Sequence, residues 1–211
     1  VRAVAAYGIP IGLQMLAEVG VFALAGVLAA NISGVAAGAH NVAITLASFS
    51  FSAAVGIGAA TSTQVGYAFG ARNMPGMRRA GGIGLTLGGA LMATCALIFV
   101  ITPEPLIALF TNDTAVRAAT IPLMRIAAIF QLSDGAQAIA GGALRGMGDT
   151  RATFVANVIG HYGVGLGVAL TLAFGFDLGV AGLWWGLSAG LTVTALVLCR
   201  RFFHMTRRQD N

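Results

Sequence analysis

Two adjoining runs decide how this chain is read. The first is Phe130-Gln131-Leu132-Ser133-Asp134-Gly135-Ala136-Gln137, and the second is Gly142-Ala143-Leu144-Arg145-Gly146-Met147-Gly148-Asp149-Thr150-Arg151. The first run sets a carboxylate, Asp134, inside an otherwise apolar helical segment. A charge in hydrocarbon is costly, so such a residue marks a functional site by default. The second run ends the segment in a glycine-punctuated loop carrying Arg145, Asp149 and Arg151. Arginine-rich short loops face the cytoplasm, so this loop orients the segment.

The rest of the composition agrees with a membrane setting. Of 211 residues, 57% are hydrophobic and 9% charged, and the mean hydropathy is +0.86, whereas soluble domains carry about 25% charged residues. Thirty glycines suit close helix packing in lipid. The net charge of +5 comes from arginines placed between apolar spans, with no aromatic-interleaved basic face, which argues against nucleic acid as a partner. The first residue is Val1 and no signal peptide is visible, so the chain is expected to be part of something longer. Cys95 and Cys199 fall at different depths of their spans, too far apart for a disulfide.

A spanning helix needs about 20 mainly apolar residues. Six stretches qualify, roughly 3–30, 36–69, 80–101, 117–142, 152–173 and 178–199. The expected fold class is thus an all-α integral membrane protein. The second span is long enough to be tilted or extended, or to be disturbed at Gly56-Ile57-Gly58. Thr102-Pro103-Glu104-Pro105 reads as a helix start, with Leu106 to Phe110 as a short interfacial helix, and Asn112 or Asp113 can cap the fourth span. The pairs Gly8/Gly12, Gly84/Gly88, Gly163/Gly167, Gly182/Gly186 and Gly186/Gly190 read as packing seams.

Arginine placement sets the expected topology. Loop 71–79 holds Arg72, Arg78 and Arg79, loop 143–151 holds Arg145 and Arg151, and Arg2 precedes the first span. The tail holds Arg200, Arg201, Arg207 and Arg208. The alternate loops carry Glu104, Asp113 and Asp177 against Arg117 alone. Six spans bring the chain back to its starting side, so both termini are expected at the cytoplasmic face.

Polar residues inside the spans are the candidates for chemistry. Glu18 lies near the middle of the first span with Gln14 one turn before it on the same face. Asp134 lies about 16 Å from the arginine end of its span. Gln131 and Gln137 flank it at three residues on either side, with Phe130 one turn earlier, as a polar stripe down one face. The alternative for either acid is a hydrogen-bonded packing residue. His161, with Asn157 one turn before it, falls in the fifth span, where packing is the ordinary role of a lone histidine. His40 and Asn41 open the second span and can line a cavity. The aromatics Phe22, Phe49, Phe51, Phe130, Tyr162, Trp184 and Trp185 can receive an organic cation, although lipid-facing or packing roles are the ordinary ones for most of them, and Trp184 reads as a member of an interfacial belt. Arg125, nine residues from Asp134 on the far side of the helix, reads as snorkelling outward or pairing elsewhere. No metalloprotease, hydrolase-elbow or phosphate-loop motif is present, so an enzyme is not expected.

In Gly8-Ile9-Pro10 with Glu18, in Gly56 to Gly66 followed by Phe69-Gly70-Ala71-Arg72, and above all in Phe130 to Asp134 with Leu144 to Arg151, the chain resembles the multidrug and toxic compound extrusion (MATE) family. The likeness is to the C-terminal six-helix half of its bacterial NorM-like branch. The resemblance implies one lobe of a twelve-helix, two-lobe antiporter in the bacterial inner membrane, with the N-terminal six-helix lobe and membrane lipids as partners. It implies expulsion of cationic or amphipathic organic compounds in exchange for inward H+ or Na+, with no organic cofactor. Glu18 and Asp134 match the family's cation-coupling acids, which implies a possible Na+ site there. Gln14, Asn41, Phe130, Gln131, Gln137, Asn157 and His161 are the candidates for lining the cavity. Phe130 stands where a tyrosine is frequent in that branch, and Asn41 where glutamine is common. Loss of the phenolic oxygen tilts the expectation toward protons. The competing readings are a related lipid-linked-sugar flippase, whose cavity carries many cationic residues, and a non-transporting scaffold, which has no need of central acids.

Overall fold

The structure is a computed structural model that describes residues 2–207, with side chains from Ala5 onward. Val1, Arg208 and the Arg2 side chain, which entered the topology expectation, lie outside this description. Six long apolar helices and one short one account for the elements. They are α1 (Arg2–Ile32), α2 (Gly34–Gly70), α3 (Met74–Ile101), α4 (Pro103–Ala108), α5 (Thr114–Gly146), α6 (Thr150–Gly175) and α7 (Gly179–Met205). No strand occurs among the described residues. The six expected spans all form, each a few residues longer than the apolar count alone suggested.

Short polar caps explain the abrupt reversals. Ser33, in extended conformation, separates α1 from α2 and accepts from the Ala36 amide at 3.0 Å. Asn73 caps α3 by accepting from Gly76 N at 2.9 Å. Asp113, rather than Asn112, caps α5 through the amides of Ala115 and Val116 at 2.8 and 3.1 Å. Each such cap contributes about 1 kcal/mol. Pro103 opens α4 in its first turn, as expected, but that helix ends at Ala108. The expected extent through Phe110 is therefore corrected at its end: Leu109 and Phe110 lie, exposed, beyond the last helical residue. Gly148 supplies the left-handed residue (φ +80°) that turns α5 into α6.

Helix α5 is the centre of the bundle, packed by α2, α3 and α7 and buried along most of its length. Glycine makes these contacts close. A Cβ on Gly142 would strike the backbone of Gly58, and one on Gly146 the backbone of Ser62. Gly56-Ile57-Gly58 therefore does not disturb α2, which runs unbroken, about 55 Å long at 1.5 Å per residue. Gly58 is small so that α5 can approach, with Ala138 O only 3.0 Å from where a Cβ would sit.

The Gly84/Gly88 pair packs on Thr61 and Ile139, and Gly182, Gly186 and Gly190 pack on α6, as expected of seams. Two pairs are corrected. Gly8 and Gly12 meet nothing within 4 Å, and neither do Gly163 and Gly167 except for a local contact at Gly163. On α6 the seam is made by Gly160 and Gly165 instead. The reason is that α6 changes its winding, with π-helical turns at Ile159–Gly165 and Thr171–Gly175. A four-residue spacing counted for an α-helix then no longer marks a single face.

Trp184 is a further correction. It is fully buried rather than interfacial, against Phe130 at 5.3 Å and His40 at 5.9 Å between ring centroids. It closes the main core with Leu123, Met124, Leu187 and Leu191, while Met77, Leu144, Leu198 and Phe202 make a second core at the arginine-rich end. Both cysteines are free. Arg125 is exposed, in keeping with outward snorkelling.

Candidate functional site

The residues that matter are presented by i, i+4 rows. On α1, Gln14, Glu18, Phe22 and Gly26 succeed one another by four and so share a face. On α5, Phe130, Asp134 and Ala138 do the same. These rows, with His40, Asn41 and Phe51 from α2, wall a cavity of about 590 Å³ lined by α1, α2 and α5 alone. Helix α1 is only lightly buried, so it forms a wall of the cavity more than a part of the core.

Glu18 and Asp134, placed on different helices by sequence, both face this one cavity. Asp134 is 5% exposed, and its Oδ1 has no hydrogen-bond partner among the described residues. Gln14 Oε1 is likewise buried and unpartnered. Glu18 is better held, with its Oε1 accepting from Gln137 Nε2 at 2.8 Å. Gln137 Oε1 in turn accepts from Asn157 Nδ2 at 3.1 Å. Two buried oxygens on lining residues, Asp134 Oδ1 and Gln14 Oε1, thus lack a donor, which is what a proton or a small cation satisfies. Apolar rings of Phe22, Phe51 and Phe130 surround them, suited to the flat body of an organic cation.

Of the seven cavity candidates, Gln14, Asn41, Phe130 and Gln137 line the space and three do not. Gln131 is buried between α5 and α2, where its Oε1 accepts from Ser50 Oγ at 2.8 Å. Steps of three residues drift about 60° round an α-helix, so Gln131, Asp134 and Gln137 spread over about 120° and face different neighbours. The single polar stripe is thereby corrected to three separate contacts. Asn157 is wholly buried behind Gln137. His161 is 1% exposed, with both ring nitrogens unpartnered, and stands edge-on to Phe22 at 6.1 Å, which screens it from the cavity.

One lining residue was read only as a loop charge. Arg145 sits in the last turn of α5 and folds back along it, its Nη1 3.6 Å from where a Cβ on Gly141 would be. It reaches the cavity that holds the acids. Its spacing carried the signal: eleven residues are three α-helical turns plus about 20°, so Arg145 shares the azimuth of Asp134. The only ion pair among the described residues lies outside the cavity, between Arg201 and Asp149. No group of three or more His, Cys, Asp or Glu poised for a metal ion occurs among the described residues.

Comparison with known proteins agrees with this architecture. The MatE family profile matches residues 10–171. The probable multidrug resistance protein NorM of Deinococcus radiodurans is 40% identical over 212 residues, covering 98% of this chain and 47% of that protein. NorM of Burkholderia vietnamiensis is 36% identical over 200 residues, covering 92% and 43% respectively. Among solved structures, the eukaryotic MATE transporter AtDTX14 superposes with a TM-score of 0.86 at 23% identity, over 97% of this chain and 47% of that one. A MOP superfamily transporter from Pyrococcus furiosus gives 0.85 at 19% identity, over 97% and 45%. The chain therefore spans about half the length of the relatives it matches.

Proposed function

The chain belongs to the multidrug and toxic compound extrusion family, and we propose that it is the C-terminal, cation-coupling lobe of a multidrug efflux antiporter. The observation that carries this reading is the joint presentation of Glu18 and Asp134, with aromatic walls, in a single cavity. Charge counting gives the mechanism. Two carboxylates against Arg145 leave one negative charge when both acids are ionised, and one bound cation cancels it. A proton, a sodium ion and an organic monocation therefore compete for a single vacancy. Competition drives antiport if the lobe prefers different conformations with different occupants, since a ligand shifts an equilibrium only by its differential affinity.

Protons are the favoured coupling ion. Sodium is a hard cation that takes several oxygen ligands, and here the second acid and amide oxygens would have to supply them without help from Phe130. The flippase reading would require a cationic cavity. Arg125, the residue that reading would have enlisted, is exposed outside the cavity, and Arg145 is the one arginine lining it. A scaffold would have no use for the unpartnered Asp134 oxygen. The exposed apolar side chains that line the cavity, Met15, Val19 and Val55, suit contact with a second six-helix lobe. The location is the bacterial inner membrane, with the arginine-rich end and both termini of this segment cytoplasmic.

The test is efflux of a fluorescent organic cation from proteoliposomes of the full-length transporter, under a pH gradient alone and a sodium gradient alone. Efflux under the pH gradient is expected. Efflux under sodium alone would reverse the ion assignment, and efflux under neither would overturn the antiporter reading.

A further inference from the structure

Asn157 and His161 were candidates for the cavity wall, and the structure puts both behind it, on α6, which touches no cavity space of its own. What α6 does instead is hold the turn of α1 that carries Glu18. Three side chains near the point where α6 passes from α to π winding, at Ile159, reach toward that turn. Asn157 Nδ2 donates to Gln137 Oε1, and Gln137 Nε2 donates to Glu18 Oε1. Tyr162 Oη donates at 2.8 Å to the carbonyl of Ala17, the residue before Glu18. His161 packs edge-on against Phe22, one turn after Glu18. In an α-helix Tyr162 would lie about 140° round from Asn157. The wider i→i+5 winding reduces that angle, so that Asn157 meets Gln137 of α5 while Tyr162 meets α1 beside it, and such π segments recur at functional sites.

The amide order matters. A glutamine offers an acceptor at one end and donors at the other. With Asn157 filling the acceptor, the donor end is what remains for Glu18. Gln137 is 2% exposed and Asn157 0%, so water does not compete for these groups. A carboxylate held through one oxygen by a donor of fixed direction keeps its other oxygen free for an incoming cation.

We propose that Gln137 and Asn157 are positioning residues that fix the Glu18 carboxylate for cation exchange, with Tyr162 fixing the backbone beside it. This rests on the coupling role proposed above for Glu18. Neither Asn157 nor Tyr162 lines the cavity, so their loss should act on the bound ion only through the placement of Glu18 and not by direct contact. The test uses the full-length transporter in proteoliposomes and compares wild type with Asn157→Leu, Tyr162→Phe and a control, Thr192→Val. The control removes a buried polar contact of 2.9 Å with Ser133 elsewhere in the bundle.

Two quantities are read: the coupling-ion concentration giving half-maximal efflux with the maximal rate, and the ion-induced change in the carboxylate infrared band of the purified protein. In Asn157→Leu the half-saturating concentration should shift at least threefold with the maximal rate within twofold, and the infrared band should move. Tyr162→Phe, which loses only a hydroxyl, should shift less in the same direction, and it decides the matter if Asn157→Leu does not fold. Thr192→Val should match wild type. Unchanged half-saturation and band in both α6 variants would overturn the relay, as would an equal shift in the control. A wild type whose efflux and spectrum ignore both ions would overturn the coupling reading and the relay with it.

Discussion

Asp134 and Arg145 face the same space from positions eleven residues apart, and on the proposed antiport reading their balance would set which cations the cavity takes. Arg145→Gln leaves two carboxylates uncompensated when both are ionised, so one monocation no longer neutralises the site. The expected outcome is a severalfold rise in the efflux ratio of a dicationic over a monocationic drug of similar size, measured in proteoliposomes. An unchanged ratio would remove Arg145 from the charge balance. Gln131 gives the contrasting case, because its partner is Ser50 and not the cavity. Gln131→Leu should cost up to about 1–2 kcal/mol of stability, the usual scale for an intramembrane hydrogen bond, and leave the ion dependence of efflux unchanged. Both acids were legible in the sequence, since a carboxylate in a spanning helix has few innocent explanations. The partition of the three α5 polar residues was not, because it depends on a drift of about 60° per three-residue step and on which neighbour each step meets.

At the scale of elements, the glycine contacts decide how closely helices approach. A Cβ on Gly142 would strike the Gly58 backbone, which cannot rotate aside as a side chain can. Gly142→Ala should therefore destabilise by about 1–3 kcal/mol, the range for overpacking, read as a lower melting temperature of detergent-solubilised protein. Gly167→Ala, where nothing lies within 4 Å, should be neutral or slightly stabilising, since glycine is the poorer helix former. The reverse result would mean that α2 and α5 are not in contact at these residues. Span positions could be read from apolar length, and two helix starts from Pro103 and Asp113, whereas the caps at Ser33 and Asn73 emerge only from the structure. The π turns of α6 could not, because winding depends on how Gly160 and Gly165 nest against α7 and not on local preference. Trp184 was misread for a related reason: an interfacial and a core tryptophan look alike until the packing partners, here His40 and Phe130, are known.

For the whole molecule, the lightly buried α1 is the surface that the proposed second lobe would cover. Cysteines introduced singly at Asn73, Asp113 and Asp177 into the full-length transporter test the orientation in intact cells. Outside reagent should label positions 113 and 177 and spare 73, and labelling at 73 alone would invert the topology. The central claim is that Asp134 carries the exchangeable charge that couples cation entry to drug exit. Asp134→Asn keeps the size and most of the hydrogen-bonding capacity of the side chain while removing that charge. The decisive measurement is gradient-driven drug efflux by Asp134→Asn and wild type, reconstituted side by side at equal density. The variant should insert and fold as wild type does yet lose gradient-driven efflux, whereas efflux at the wild-type rate would contradict the account.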